Sequence, residues 1–189
     1  MVRLFIAIEI EDEDVLRRVI ALRDEVLGCS KEREVKGVED ENIHLTLRFI
    51  GEVSESLVPT IINCLDRCSK YSQFTMELRG VGVFPSLSRP RVIWVGVKGG
   101  ASELKTLRGV LDDCLRDIKR PEHQEFVPHI TIARVKRRIS GSCLRDFIMS
   151  HSDDLVGTSR VTKVVLKRSI LKPQGPEYID IHTVKLKGV

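Results

Sequence analysis

Asn42-Ile43-His44-Leu45-Thr46-Leu47-Arg48-Phe49 and Val127-Pro128-His129-Ile130-Thr131-Ile132-Ala133-Arg134 are the two stretches from which the rest of the chain can be read. Each carries the pattern His-apolar-Thr-apolar. In a β-strand successive side chains alternate between faces, so His and Thr share one face and Leu45, Leu47, Ile130 and Ile132 share the other. The apolar face can enter a core, while the other presents an imidazole beside a hydroxyl. A single His on such a strand is commonly structural. The chain has five His, and at a Thr usage of roughly 5% two of them with Thr two places on would arise by chance in only a few per cent of such chains. The repeat therefore points to a site with two proton-transfer groups.

The same order of elements surrounds both motifs. Residues 3–10 suit a strand, and Asp12 or Asp14 can cap a helix over 13–28 with Val15, Val19, Leu22 and Val26 on its stripe. Residues 30–41 read as a charged loop. The first motif makes a strand over 43–50, followed by a helix over 56–69, with Pro59 acceptable in its first turn. A strand over 73–83 follows, with a bulge at Gly80-Val81-Gly82. After the turn-rich Pro85–Pro90 the order begins again: a strand at 91–97, a helix at 102–118 and the second motif at 127–134. A helix at 142–150 and strands at 160–171 and 177–187 complete it. The expected fold is α+β: one bilobal domain over residues 1–189, two pseudo-symmetric lobes of antiparallel sheet with outer helices and a cleft between them.

Composition narrows the class. A chain of 189 residues that is 42% hydrophobic can build a core. No apolar run approaches the ~18 residues of a membrane span, and the apolar start leads into Glu11-Asp12-Glu13-Asp14, which reads as a first strand rather than a signal peptide. Five Cys without a framework spacing (Cys29, Cys64, Cys68, Cys114, Cys143) read as buried free thiols in a reducing cytoplasm. Core packing is preferred to a metal pair for Cys64 and Cys68. With 31% charged residues, three Gln and two Asn, the balance is that of a heat-adapted chain. The net charge of +4 is compatible with an anionic partner, and Arg134, Lys136, Arg137 and Arg138 directly follow the second motif.

Two imidazoles with ordinary pKa values near 6.5 can divide the work at neutral pH, one accepting a proton from a nucleophile and one giving a proton to a leaving oxygen. Two Thr hydroxyls can donate to the oxygens of a phosphate between them. No carboxylate cluster, Gly-rich Lys-bearing loop or nucleophile elbow accompanies them. The set fits phosphoester chemistry without a cofactor or metal.

Together with Arg3-Leu4-Phe5-Ile6-Ala7-Ile8, Phe84-Pro85, Arg89-Pro90-Arg91-Val92-Ile93-Trp94 and Gly175-Pro176-Glu177-Tyr178, the two motifs make the chain resemble the two-histidine phosphoesterases. Within them it is similar to the RNA 2′,3′-cyclic phosphodiesterases, or 2′-5′ RNA ligase-like proteins. It departs at Gly37, where many relatives carry an aromatic. The resemblance implies hydrolysis of an RNA or nucleoside 2′,3′-cyclic phosphate to a 2′-phosphomonoester. It implies His44 as proton donor to the departing 3′ oxygen, His129 as the base activating water, and Thr46 and Thr131 as holders of phosphate oxygens. It also makes Arg134 a phosphate contact and Phe49 a base platform. Strict alternation sets both on the face opposite His and Thr, which leaves Arg48 as the alternative cation. His123, His151 and His182 have no motif around them and read as surface or structural. ATP-independent 2′-5′ joining of RNA ends is the alternative enzyme activity, and a non-catalytic nucleotide- or RNA-binding module is the alternative class.

Overall fold

A computed structural model describes residues 1–188. Strand β1 (Val2–Ile8) is followed by helix α1 (Glu13–Gly28), whose first turn is closed by the Asp12 carboxylate accepting from the Val15 N–H at 2.9 Å. Short strand β2 (Val35–Gly37) precedes β3 (Leu45–Val53), α2 (Val58–Asp66) and β4 (Phe74–Phe84). The second half holds β5 (Val92–Val97), α3 (Ala101–Leu115), β6 (His129–Val135), α4 (Cys143–Ser150), β7 (Leu155–Val161), β8 (Lys163–Lys172) and β9 (Gly175–Lys185).

All strands join one antiparallel sheet in the order β7-β4-β5-β6-β3-β1-β8-β9, with β2 added to β6. Two four-stranded halves meet where β3 and β6 touch, and their register is a single pair, Leu45 opposite Ile130. Beyond it the strands part, and β2 takes the freed edge of β6 over 133–135. The halves exchange elements: β4 leaves the first unit to pair with β5, and β8 leaves the second to pair with β1. Likewise α1 packs on β6 and β7, and α3 on β3. The helices cover one face of the sheet with a continuous core that includes Leu45, Leu47, Ile130 and Ile132, all with no exposed surface. The other face is left open around the β3–β6 junction.

Three expectations need correction. The 30–41 loop contains β2, whose three residues are too few to show a period. The stretch expected as one strand over 160–171 is two: β7 ends at Val161 and β8 starts at Lys163, pairing with opposite halves of the sheet. Such a change of partner leaves no trace in periodicity. The cysteines are not all free thiols. Cys29 is bonded to Cys143 and Cys64 to Cys114, and only Cys68 is free and buried. Their partners lie 114 and 50 residues away, a proximity only tertiary packing creates. The thiol inventory therefore no longer argues for a reducing compartment. Among the described residues no helix is long and apolar enough to cross a membrane.

Candidate active site

The open face is organised by the Leu45–Ile130 pair. In an antiparallel ladder the neighbours of a matched pair are themselves opposite one another, so the register sets His44 across from Thr131 and Thr46 across from His129. All four line one cleft of about 550 Å³. Each imidazole is oriented identically. His44 Nδ1 lies 2.7 Å from the Asn42 carbonyl and His129 Nδ1 lies 2.7 Å from the Val127 carbonyl, two residues back in each case. A carbonyl only accepts, so Nδ1 carries the proton and Nε2 of each neutral ring is the free base. His44 Nε2 accepts from the Thr46 hydroxyl at 2.8 Å.

The surroundings differ. His44 is wedged between Phe5 and Tyr178, with ring centroids at 5.0 and 5.4 Å. Burial there pushes its pKa down to about 4, helped by the nearby cations Lys167 and Arg134. His129, more open, rests against Phe84 at 5.0 Å and Trp94 at 6.3 Å. Its pKa is also lowered by burial, with Arg134 adding to the effect. In the empty cleft both rings are thus neutral at pH 7.

Phe49 and Arg134 line this cleft and Arg48 does not, which overturns Arg48 as the phosphate cation. The reason is a bulge at the same place in each motif. Ile6 opposes Arg48 and Ala7 opposes Thr46, so Leu47 is an extra residue. Ile93 opposes Ala133 and Trp94 opposes Thr131, so Ile132 is the equivalent extra residue. One inserted residue reverses the facing of everything after it. Arg48 and Ala133 therefore turn into the core, 1% and 0% exposed, while Phe49 and Arg134 return to the His/Thr face.

Different groups satisfy the two bulges. The Leu47 carbonyl accepts from the Arg108 guanidinium of α3 at 3.0 Å, and the Phe49 carbonyl accepts from Arg48 at 2.8 Å. Arg48 Nε stands 2.6 Å from Asp112, an ion pair not aligned as a hydrogen bond, and a second nitrogen donates to the Lys119 carbonyl. The Ile132 carbonyl instead accepts from the Val38 backbone N–H at 2.9 Å, just past β2.

Apart from Phe49, sequence reasoning missed the aromatic floor. Five of the chain's nine aromatic side chains, Phe5, Phe49, Phe84, Trp94 and Tyr178, surround the two imidazoles. The signal was their scarcity combined with their place in strands flanking the motifs. Arg3, Lys36 and Lys136 add positive charge to the cleft, and Gly37 lies in its wall. His151 bridges Asp154 and Glu25, and His182 pairs with Asp66, both away from the cleft. Among the described residues no three His, Cys, Asp or Glu side chains converge as a metal-binding group.

Residues 8–94 match the family described as LigT-like phosphoesterase. An Aeropyrum pernix RNA 2′,3′-cyclic phosphodiesterase is 43% identical over 169 residues, which is 89% of this chain and 94% of that protein. A protein of the same name from Methanothermobacter thermautotrophicus is 36% identical over 98% of this chain and 99% of its own. The crystal structure of a Thermus thermophilus protein superposes with a TM-score of 0.83 at 29% identity, covering 98% of each chain. Escherichia coli LigT, solved with 3′-AMP, superposes at 0.79 with 23% identity over 98% of each chain, a likeness of fold.

Proposed function

This chain belongs to the RNA 2′,3′-cyclic phosphodiesterases of the LigT-like phosphoesterase family, and from that premise we propose that His44 and His129 are the acid and base of its reaction. It is an enzyme that opens a 2′,3′-cyclic phosphate at an RNA end. In the proposed course, His129 Nε2 takes a proton from water as the water oxygen bonds to phosphorus. The bond from phosphorus to the 3′ oxygen breaks, and His44 Nε2 gives that oxygen its proton. The product is a 2′-phosphomonoester, and the two rings exchange their protonation states. Thr46 and Thr131 donate to the non-bridging oxygens, Arg134 balances their charge, and Phe49, exposed at 46%, offers a face to the terminal base.

The observation that carries this reading is the crossed register about Leu45 and Ile130, which supports both His–Thr pairs acting on one phosphorus. The two environments support the division of roles. His129 is the more open ring and meets water. His44 is neutral in the empty cleft, and the anion it receives raises its pKa, most strongly where burial weakens screening. The base and acid need no metal in this scheme.

RNA bearing a cyclic end is incubated with the enzyme in EDTA, and the remaining phosphate is located. Loss of the ring with phosphate on the 2′ oxygen is expected. Abolition by the chelator, or joining to 5′-hydroxyl RNA in place of hydrolysis, overturns it. A substrate whose 3′ leaving oxygen is replaced by sulfur needs little protonation, so it should restore much of the rate of His44→Ala and none of His129→Ala. The reverse pattern exchanges the two roles.

A further inference from the structure

A second depression of about 680 Å³ lies beyond the end of β6. It is formed by three separate segments: the turn before β5, the loop after β6 and the first turn of α4. Arg89, Arg91, Arg137, Arg138 and Arg145 line it, and no carboxylate does. All five are exposed, and among the described residues none of their side chains forms an ion pair or hydrogen bond. This contrasts with Arg17, Arg23, Arg48, Arg79, Arg108 and Arg116, each paired with an Asp or Glu. Five uncompensated charges in one place exceed the net +4 of the entire chain. Self-repulsion of that kind disfavours the compact state unless a polyanion answers it. The floor is apolar, from Val135, Ile139 and Leu144. A rim of guanidinium groups over an apolar floor suits phosphates joined to ribose and base, because guanidinium binds phosphate in a two-pronged geometry and stacks on flat rings.

We infer that this depression holds the backbone phosphates of the RNA whose cyclic end occupies the cleft, an inference that rests on the proposed function. The cyclic phosphate is the 3′ terminus, so the remainder of the strand must leave the cleft in one direction. The two mouths differ in charge. One is lined by Lys36, Arg134 and Lys136, with Lys36 in register with Arg134. The other shares Arg134 and adds Arg108, but Glu122 and Glu125 offset them. A polyanion leaves by the basic mouth, and Arg137 and Arg138 continue that line past the end of β6.

The test compares the unmodified enzyme with a double variant, Arg138→Gln and Arg145→Gln, on a ten-nucleotide RNA with a cyclic end and on a nucleoside 2′,3′-cyclic phosphate. The variant should raise KM for the ten-mer about tenfold, leaving its kcat and the mononucleotide kcat/KM within about twofold. The slope of log affinity against log salt should fall by about 1.4, since each single-strand phosphate contact contributes ~0.7. Equal losses on both substrates, or none on either, overturn the inference. Competition by pyrophosphate together with a ten-mer KM that ignores the variant identifies a small-anion site and also overturns it. Binding of a ten-mer already ending in a 2′-phosphate, followed by anisotropy, separates this inference from the proposed function. An enzyme that binds it with the predicted arginine and salt dependence but opens no cyclic end sinks the reaction and leaves the track standing.

Discussion

The strands β3 and β6 carry the same motif, the same ring orientation and the same bulge three residues after the histidine, yet they build unlike environments. Around His44 the ring is enclosed by Phe5 and Tyr178 and its Nε2 is occupied by Thr46. Around His129 the ring is more open, and among the described residues its Nε2 has no partner. The bulge in β3 is held by charged side chains from the core, and that in β6 by a backbone N–H beside β2. The repeated motif thus supplies two imidazoles oriented alike, and the packing behind them makes His44 the poorer proton holder in the empty cleft. This is how environment divides labour between like residues.

Substituting either histidine tests the shared part of the comparison. His44→Ala and His129→Ala should each lower the rate about 10²–10⁴-fold on cyclic-ended RNA. Full turnover by either one would end the pairing.

The bulge supports should separate the halves next. Arg48→Ala empties a buried site, removes the donors to the Phe49 and Lys119 carbonyls and leaves Asp112 with Arg108 alone, and should cost about 3 kcal/mol of folding stability by urea unfolding. Ala133→Ser at the equivalent place in β6 touches no ion pair and should cost well under half of that. Equal costs would mean that the two bulges are held alike.

The acid response should distinguish the two rings. A histidine whose folded pKa is about 4 against an unfolded value near 6.5 binds fewer protons folded than unfolded between those limits. Its contribution to stability is therefore full above about pH 6.5 and is lost as pH falls toward 4. Between pH 7 and pH 5 that amounts to about 2 kcal/mol from His44. His44→Phe should flatten the urea midpoint over that range, and His129→Phe should flatten it less. A larger flattening by His129→Phe would reverse the order of burial.

A further effect concerns the hydroxyls. Thr131→Val removes one bond to a charged group and should cost roughly 1.5–3 kcal/mol of transition-state binding in kcat/KM. Thr46→Val removes that bond and the His44 partner together, so its loss should be the greater. Equal losses would show that the bond to His44 has no kinetic weight.

Much of the site was legible because it rests on local pattern. His44, Thr46, His129 and Thr131 share a face by alternation alone, and Asp12 and the stripe of α1 announce that helix at its observed bounds. Alternation then misled at Arg48. A bulge is a disagreement in length between a strand and its partner, and one strand alone cannot reveal it. Arg48 and Phe49 changed places for that reason, as did Ala133 and Arg134. The disulfides, the strip β2 and the division of β7 from β8 were hidden for a related reason, since each is defined by a partner distant in the chain.

The chain's own order of residues determined that two imidazole–hydroxyl strands exist, which face they share, and how the helices and strands around them repeat. Those properties follow from side-chain period and capping, which act over a few residues. Tertiary structure alone decided the crossed register at Leu45 and Ile130, the aromatic floor beneath each ring, and which arginine enters the core and which the cleft. These depend on which strand lies beside which, and burial then sets the proton affinity of each histidine through water excluded by residues far away in the chain.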